Sequence, residues 1–245
     1  MADDIYQNFA ARYDRIRPPN PGRDEFFRRL FADNDVNSVL DCSCGTGRDI
    51  LLFDSFGCDV YGSDLSESML AQSREKIKNA GVDIPLVQSD FRNLAENFDR
   101  KFDAVVCLSN SINEVLEESE AVRALESMRG VLRDSGILVV DQGQSDASMS
   151  NPPRFAPVVN TRDFSMLFLM EYFGNQMEFT IFDFIHTEDE VDFHRHSMRI
   201  AIRLQDDWIR MFEKAGFNSV DFYGGWDFEA YDKDTSKRLI AVGHK

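Results

Sequence analysis

The sequence predicts an α/β fold, a doubly wound and mostly parallel sheet with helices on both faces, and three observations carry that expectation. Helical and strand-like apolar patterns alternate from about residue 20 to residue 141, and strands separated by helices require right-handed crossovers. A glycine turn in VLDCSCGTGRDI (39–50) joins an apolar run to an amphipathic one, as a tight strand-to-helix connection would. After Asp141 the texture changes to aromatic-rich, near-alternating runs, which predict a small antiparallel β insertion.

Taken in order, residues 24–32 place apolar side chains at 26, 27, 30 and 31, the spacing of one helix face, and 37–42 read as a short buried strand. A helix over 49–55, a strand over 58–63 and a helix over 66–80 follow, the last with Ser66 as its N-cap and Glu67 in its first turn. Strands are expected at 84–88, 102–108 and 136–141, with a helix at 119–132 between the last two. Residues 144–163 read as loop, and SNPPRF (150–155) as a turn within it. Residues 164–204 are rich in Phe, Met, Ile and Tyr, and runs such as MEFTIFDFIH (177–186) and HRHSMRIAIRL (194–204) read as antiparallel strands. A helix over 205–217 closed by Gly216, a strand over 219–223 and a last strand over 238–243 complete the chain.

A chain of 245 residues is long enough for one full-sized α/β core, so 1–245 is expected to form a single domain. Within it, 146–200 would be an antiparallel cap over a substrate pocket, with Phe164, Phe168, Tyr172, Phe173, Phe179, Phe182 and Phe184 supplying wall and core. Exposed edge strands of such a cap offer an alternative use, self-association into a homo-oligomer. The start of the chain lacks the basic region and apolar core of a signal peptide, and no apolar run is long enough to span a membrane, which predicts a soluble cytoplasmic protein. Cys42, Cys44, Cys58 and Cys107 lie in or beside expected strands with no C-x-x-C pair, so they read as reduced, packed thiols, with neither a disulfide framework nor a metal site. A net charge of −16 repels polyanions and argues against a nucleic-acid partner.

The glycine turn discriminates among ligands. A dinucleotide fingerprint needs a third glycine where Ile50 stands, and a phosphate-binding P-loop needs a G-K-[ST] that is absent. The turn also opens with an acid, Asp41, which would repel a pyrophosphate but suits a cation. A second acid, Asp64, ends the second strand 17 residues beyond Gly47, where a carboxylate accepts from both hydroxyls of an unphosphorylated ribose. A third, Asp90, follows the third strand. Each alone reads as a turn or helix cap; three at the carboxyl ends of successive strands mark a ligand edge.

With its D-x-x-C-G-T-G loop and these three acids, the chain resembles the class I S-adenosylmethionine (SAM)-dependent methyltransferases, nearest to the glycine and sarcosine N-methyltransferases. The resemblance covers most of the chain. It implies a Rossmann-like seven-stranded sheet, mostly parallel with one antiparallel strand, and SAM as cofactor. It also implies a cofactor site of Tyr13, Arg23, Asp41, Cys44, Gly45, Gly47, Asp64, Leu65, Asp90, Phe91 and Leu108. In that reading the N-terminal segment IYQNFAARYD (5–14) folds over the cofactor, with Tyr6 or Tyr13 closing its methionine end and Arg23 pairing with its carboxylate. Asp90 accepts from the adenine amino group while the Phe91 amide addresses the ring, and Leu65 and Leu108 sandwich it.

The segment CLSNSINEV (107–115) resembles the C-L-G-N-S stretch of the same enzymes, which places Asn110, Ser111 and Asn113 at the methyl group. Asn110, Asn113 and Glu114 are the catalytic candidates. No metal is implied. The chain departs from that subfamily after strand five, where DQGQSD (141–146) replaces the segment whose arginine anchors a substrate carboxylate. Arg154, Arg162, Arg195 or Arg199 would have to replace it. The implied function is methyl transfer to a small-molecule acceptor, with a preference for an amine nitrogen. An amine needs only to lose a proton, whereas a hydroxyl needs a general base, for which Glu114, His186, His194 and His196 are candidates. An O-methyltransferase and a non-catalytic SAM-binding protein remain as alternatives.

Overall fold

The computed structural model describes residues 6–7, 9–16 and 19–245; Ile5 and Asn8 of the N-terminal segment lie outside them. Seven strands form the main sheet: β1 (Ser38–Asp41), β2 (Asp59–Asp64), β3 (Leu86–Gln88), β4 (Phe102–Cys107), β5 (Leu132–Gln142), β10 (Ser219–Tyr223) and β11 (Leu239–His244). Their spatial order is β10-β11-β5-β4-β1-β2-β3. β11 runs antiparallel to both neighbours, while the pairings from β5 through β3 are parallel, so the Rossmann-like sheet with one reversed strand is present. The order reverses at β1, and the carboxyl ends of β1 and β4 diverge there into the crevice where open α/β sheets take ligands.

Helices α1 (Pro21–Asp33), α2 (Arg48–Ser55), α3 (Glu67–Ala80), α4 (Glu118–Val131) and α6 (Gln205–Lys214) follow the sequence pattern to within a few residues. Asn20 caps α1 by accepting from the Arg23 amide, with Pro21 at the first helical position, and Ser66 caps α3 by accepting from the Met69 amide. One apolar layer packs α1, α2 and α3 on one sheet face through Phe27, Ile50, Phe53 and Leu70; the other packs α4 and α6 through Leu125, Met128, Trp208 and Phe212. Each such side chain, fully buried, contributes roughly 1.5–3 kcal/mol. Helix α6 ends at Lys214, earlier than expected, and Gly216 closes its end at φ +82°.

Residues 144–163 are not simply loop. They hold a short helix α5 (Asp146–Ser150), started by a reciprocal Ser145–Ser148 cap, and an edge strand β6 (Phe155–Asn160). Short length and the prolines at 152 and 153 hid both. β6 opens a four-stranded antiparallel sheet with β7 (Phe164–Phe173), β8 (Gln176–His186) and β9 (Val191–Ala201), in the order β6-β7-β8-β9. Its period-two alternation sends Phe164, Met166, Phe168, Phe179, Ile181 and Met198 to one face and leaves Phe193 and Val191 exposed on the other. Among the described residues no helix is long and apolar enough to cross a membrane.

Candidate active site

The first strand ends on Asp41, and the chain then turns through two glycines into α2. Gly45 (φ +53°) and Gly47 (φ +84°) both occupy the left-handed region, but for different ends. A Cβ on Gly45 would meet nothing within 4 Å, so this glycine keeps the ligand side of the loop open; one on Gly47 would lie 2.3 Å from Ser73 Oγ, so that glycine lets α3 pack close. Asp64 at the end of β2 receives the Gly45 amide at 2.8 Å and the Ser66 amide at 2.9 Å. These two backbone donors orient the Asp64 carboxylate at the strand end. An open glycine face beside an anchored carboxylate fits the ribose and sulfonium of SAM.

Asp41 is 1% exposed and accepts from the Ser43 amide at 3.1 Å. Burial, with Asp49 nearby, pushes its carboxyl well above the usual carboxylate range. Arg23 forks onto Asp49 with bonds of 2.8 and 2.7 Å, and its guanidinium lies over the rings of Phe27 and Trp226. It is therefore mostly buried and held by an internal carboxylate, while still bordering the central cavity.

That cavity measures about 490 Å³ and lies between the glycine loop and the inner face of the inserted sheet. Tyr6, Tyr13, Arg23, Arg48, Asn110 and Glu114 border it on the loop side. Val158, Phe168, Phe179, Ile181, Met198 and Ile200 border it on the sheet side. Trp226 and Arg238, from the segment between β10 and β11, border it as well, beside Asp141 at the end of β5. A smaller recess beside it is bordered by Cys44, Gly45, Thr46, Asp49 and Leu108.

The N-terminal segment straps this cavity as a 3-10 turn (Ala10–Ile16). Asp14 takes a 2.6 Å bond from Thr46 Oγ1 and an ion pair from Lys76, fixing the turn to the glycine loop and α3. Arg12 pairs with the fully buried Asp183 of β8 at 2.5 Å. Tyr6 donates its hydroxyl to Glu114 Oε1 at 2.7 Å. Burial and the adjacent Glu114 push the Tyr6 phenol up; burial likewise raises the Glu114 carboxyl, partly opposed by the Tyr6 hydrogen bond. Glu114 is surrounded by protein and yet reached by solvent through the cavity it borders.

Several expected site residues stand elsewhere. Asn113 is fully buried and faces away from the cavity: its amide donates to Gln142 Oε1 at 2.8 Å and its oxygen receives Arg203 at 3.1 Å. It braces the turn from behind and does not border the cavity. Asn110 does border the cavity, in a left-handed turn (φ +69°), with Oδ1 accepting from the Gly143 amide at 2.9 Å. Asp90 receives Arg92 through Nε at 3.0 Å and Nη2 at 2.5 Å; burial would raise its carboxyl, but these bonds and the Arg92 charge hold it below the usual range. Its oxygens are occupied by Arg92 where the resemblance implied adenine, and Phe91 packs against the hydrophobic core.

Leu65 is 65% exposed while Leu108 is buried beside the recess, so the expected sandwich has one open side. Cys44 is buried against Gly62, whose Cβ would lie 3.1 Å from its thiol. Arg154, Arg162, Arg195 and Arg199 are exposed and none borders the cavity. Nor does any histidine. His186 meets Ser165 Oγ at 2.9 Å, and His194 pairs with Asp192. His196 sits 3.5 Å from Asp183 and against the Phe9 ring, its pKa lowered by burial despite that carboxylate.

The sequence reading missed Arg238, which pairs with Asp141 and lies over Trp226. It also missed Arg203, which donates to the carbonyls of Ile112 and Val115 behind the turn that carries Glu114. The buried Asp141 and the aromatic segment after β10 were the available signals.

A model described as "Methyltransferase domain" matches residues 39–136. The glycine/sarcosine N-methyltransferase of Parasynechococcus marenigrum is 33% identical over 143 residues, which are 57% of this chain and 51% of that protein, so the match spans about half of that relative. The glycine/sarcosine N-methyltransferase of Aphanothece halophytica is 25% identical over 251 residues, covering 99% of this chain and 92% of that one. A crystal structure of an S-adenosylmethionine-dependent methyltransferase from Clostridium acetobutylicum shares the fold, with a TM-score of 0.84 at 18% identity over 98% of each chain.

Proposed function

This chain belongs to the class I SAM-dependent methyltransferases, and from that premise we propose that it transfers a methyl group to the nitrogen of a small amine. The observation that carries the nitrogen assignment is Glu114, aimed at the cavity beside the glycine loop and held by Tyr6. When bound, SAM would supply an electrophilic methyl group on a positively charged sulfur. Asp64 and the open face of Gly45 would hold its ribose and loop end, and Asp41 and Glu114 would offset its positive charges.

An acceptor amine enters mostly as an ammonium ion. Glu114 would bind that cation and take the proton it must lose, a role that a carboxyl raised by burial serves better than an ordinary one. Proximity would then supply much of the rate, with the Tyr6 strap and the inserted sheet bordering the space the acceptor would occupy. The preference for nitrogen over a hydroxyl gains support from the absence of histidine at the cavity wall, since an alcohol needs a stronger base than a carboxylate. The names of the two relatives, both glycine/sarcosine N-methyltransferases, point the same way.

Calorimetric titration with SAM, followed by a coupled assay for S-adenosylhomocysteine over amines and phenols, tests the proposal. Binding lost in Asp64→Ala and turnover with amines are expected. Unaltered binding by Asp64→Ala, or turnover with phenols alone, overturns it.

A further inference from the structure

We infer that the preferred acceptor carries its amine on an apolar, ring-sized body seated against the inserted sheet, and that glycine-like and polyhydroxylated amines are poor ligands. The inference rests on the methyltransferase reading above and concerns the far end of the same cavity. Every side chain that the inserted sheet contributes to the wall is apolar: Val158, Phe168, Phe179, Ile181, Met198 and Ile200. A hydroxyl-rich body placed there would lose its water without gaining hydrogen bonds, whereas an apolar body is removed from water by contact with the same side chains.

The polar groups cluster at the opposite end and are largely engaged. Arg23 is forked onto Asp49, and Arg238 is paired with Asp141. Arg48 lies where the cavity meets the glycine-loop recess, on the cofactor side. A substrate carboxylate would thus have to break an internal ion pair or sit beside Glu114, which repels it. The four candidate anchors in the insertion, Arg154, Arg162, Arg195 and Arg199, are exposed outside the cavity. An ammonium meets the reverse situation at Glu114, where the anion is raised by burial and gains from a cation.

The test is a binding measurement on the whole protein. Tryptophan fluorescence, reporting through Trp226 in the cavity wall, and calorimetry follow titrations with 2-phenylethylamine, glycine and glucosamine, each with and without S-adenosylhomocysteine. The expected result is a Kd for phenylethylamine at least tenfold below those of the other two, weakened at least tenfold by Phe179→Asp and largely retained by Phe179→Leu. Glycine or glucosamine binding as tightly as phenylethylamine, or indifference to Phe179→Asp, overturns the inference. Failure of S-adenosylhomocysteine to bind overturns the methyltransferase reading instead, and the titrations without it still measure the preference of the cavity.

Discussion

Tyr6 and Glu114 are 108 positions apart in the chain and joined by a 2.7 Å hydrogen bond across the mouth of the cavity. The donor belongs to the N-terminal strap and the acceptor is the base proposed above, so one bond ties the strap to that carboxylate. The phenol also opposes the burial that raises the Glu114 carboxyl.

Tyr6→Phe should therefore lower kcat/KM for an amine by about 10- to 100-fold, the loss expected for a hydrogen bond of roughly 1.5–3 kcal/mol to a charged group. Because the carboxyl is active when ionised, the acidic limb of the pH profile rises through its raised pKa, and deleting the donor shifts that limb to higher pH. A profile displaced downward without moving along the pH axis would show that the bond is only structural.

Asp41→Asn should stabilise the cofactor-free protein while weakening SAM binding. The carboxyl is raised by burial and by Asp49, so ionising it above its folded pKa costs stability, and the amide oxygen still accepts from Ser43. A gain of about 1 kcal/mol near pH 8, or about 2–4 °C in Tm for a chain of this size, should shrink as the pH falls toward the ordinary carboxylate range, where folded Asp41 is protonated. Thermal melts across pH, paired with calorimetry, check both halves. A destabilised variant, or one that binds SAM as wild type does, refutes the idea.

The two loop glycines should separate in the same assays. Gly45→Ala incurs left-handed backbone strain of about 1–2 kcal/mol and puts a methyl on the open ligand face, so SAM affinity should fall more than Tm. Gly47→Ala adds a clash with Ser73, for a total of about 2–4 kcal/mol, and Tm should fall first. Ser73→Ala in the Gly47→Ala background should recover part of the loss.

These glycines also show what was legible in the sequence. Periodicity located the main-sheet strands because parallel strands buried on both faces are written in unbroken apolar runs, as in β4 and the later part of β5. It located Asp41 and Asp64 because strand ends are marked by the same runs. It did not distinguish Asn110 from Asn113, because a short turn has no period to say which side chain faces the cavity. Nor did it place the cavity's arginines. Arg23 and Arg238 are defined by Asp49 and Asp141, partners 26 and 97 positions away, and by Trp226 above both.

Arg203 gives the strictest test of that lesson, since it looks like one more charge at the end of a strand and is 4% exposed. Its guanidinium reaches Ile112 O and Asn113 Oδ1 at 3.2 and 3.1 Å through Nη1 and the carbonyl of Val115 through Nη2, so both terminal nitrogens of a rigid fork hold the turn that carries Glu114. Burial lowers its pKa to about 10. That still leaves it charged at neutral pH, so its contribution should be flat between pH 6 and 9. Arg203→Met should cost on the order of 3 kcal/mol, because it strands several buried acceptors at once. Arg203→Lys should rescue only part, since an ammonium cannot span the same fork. Where either variant stays folded, KM for the acceptor should rise while SAM affinity holds, because the disturbed turn positions Glu114 and not Asp64. Equal losses for acceptor and cofactor would mean that Arg203 supports the sheet edge as a whole.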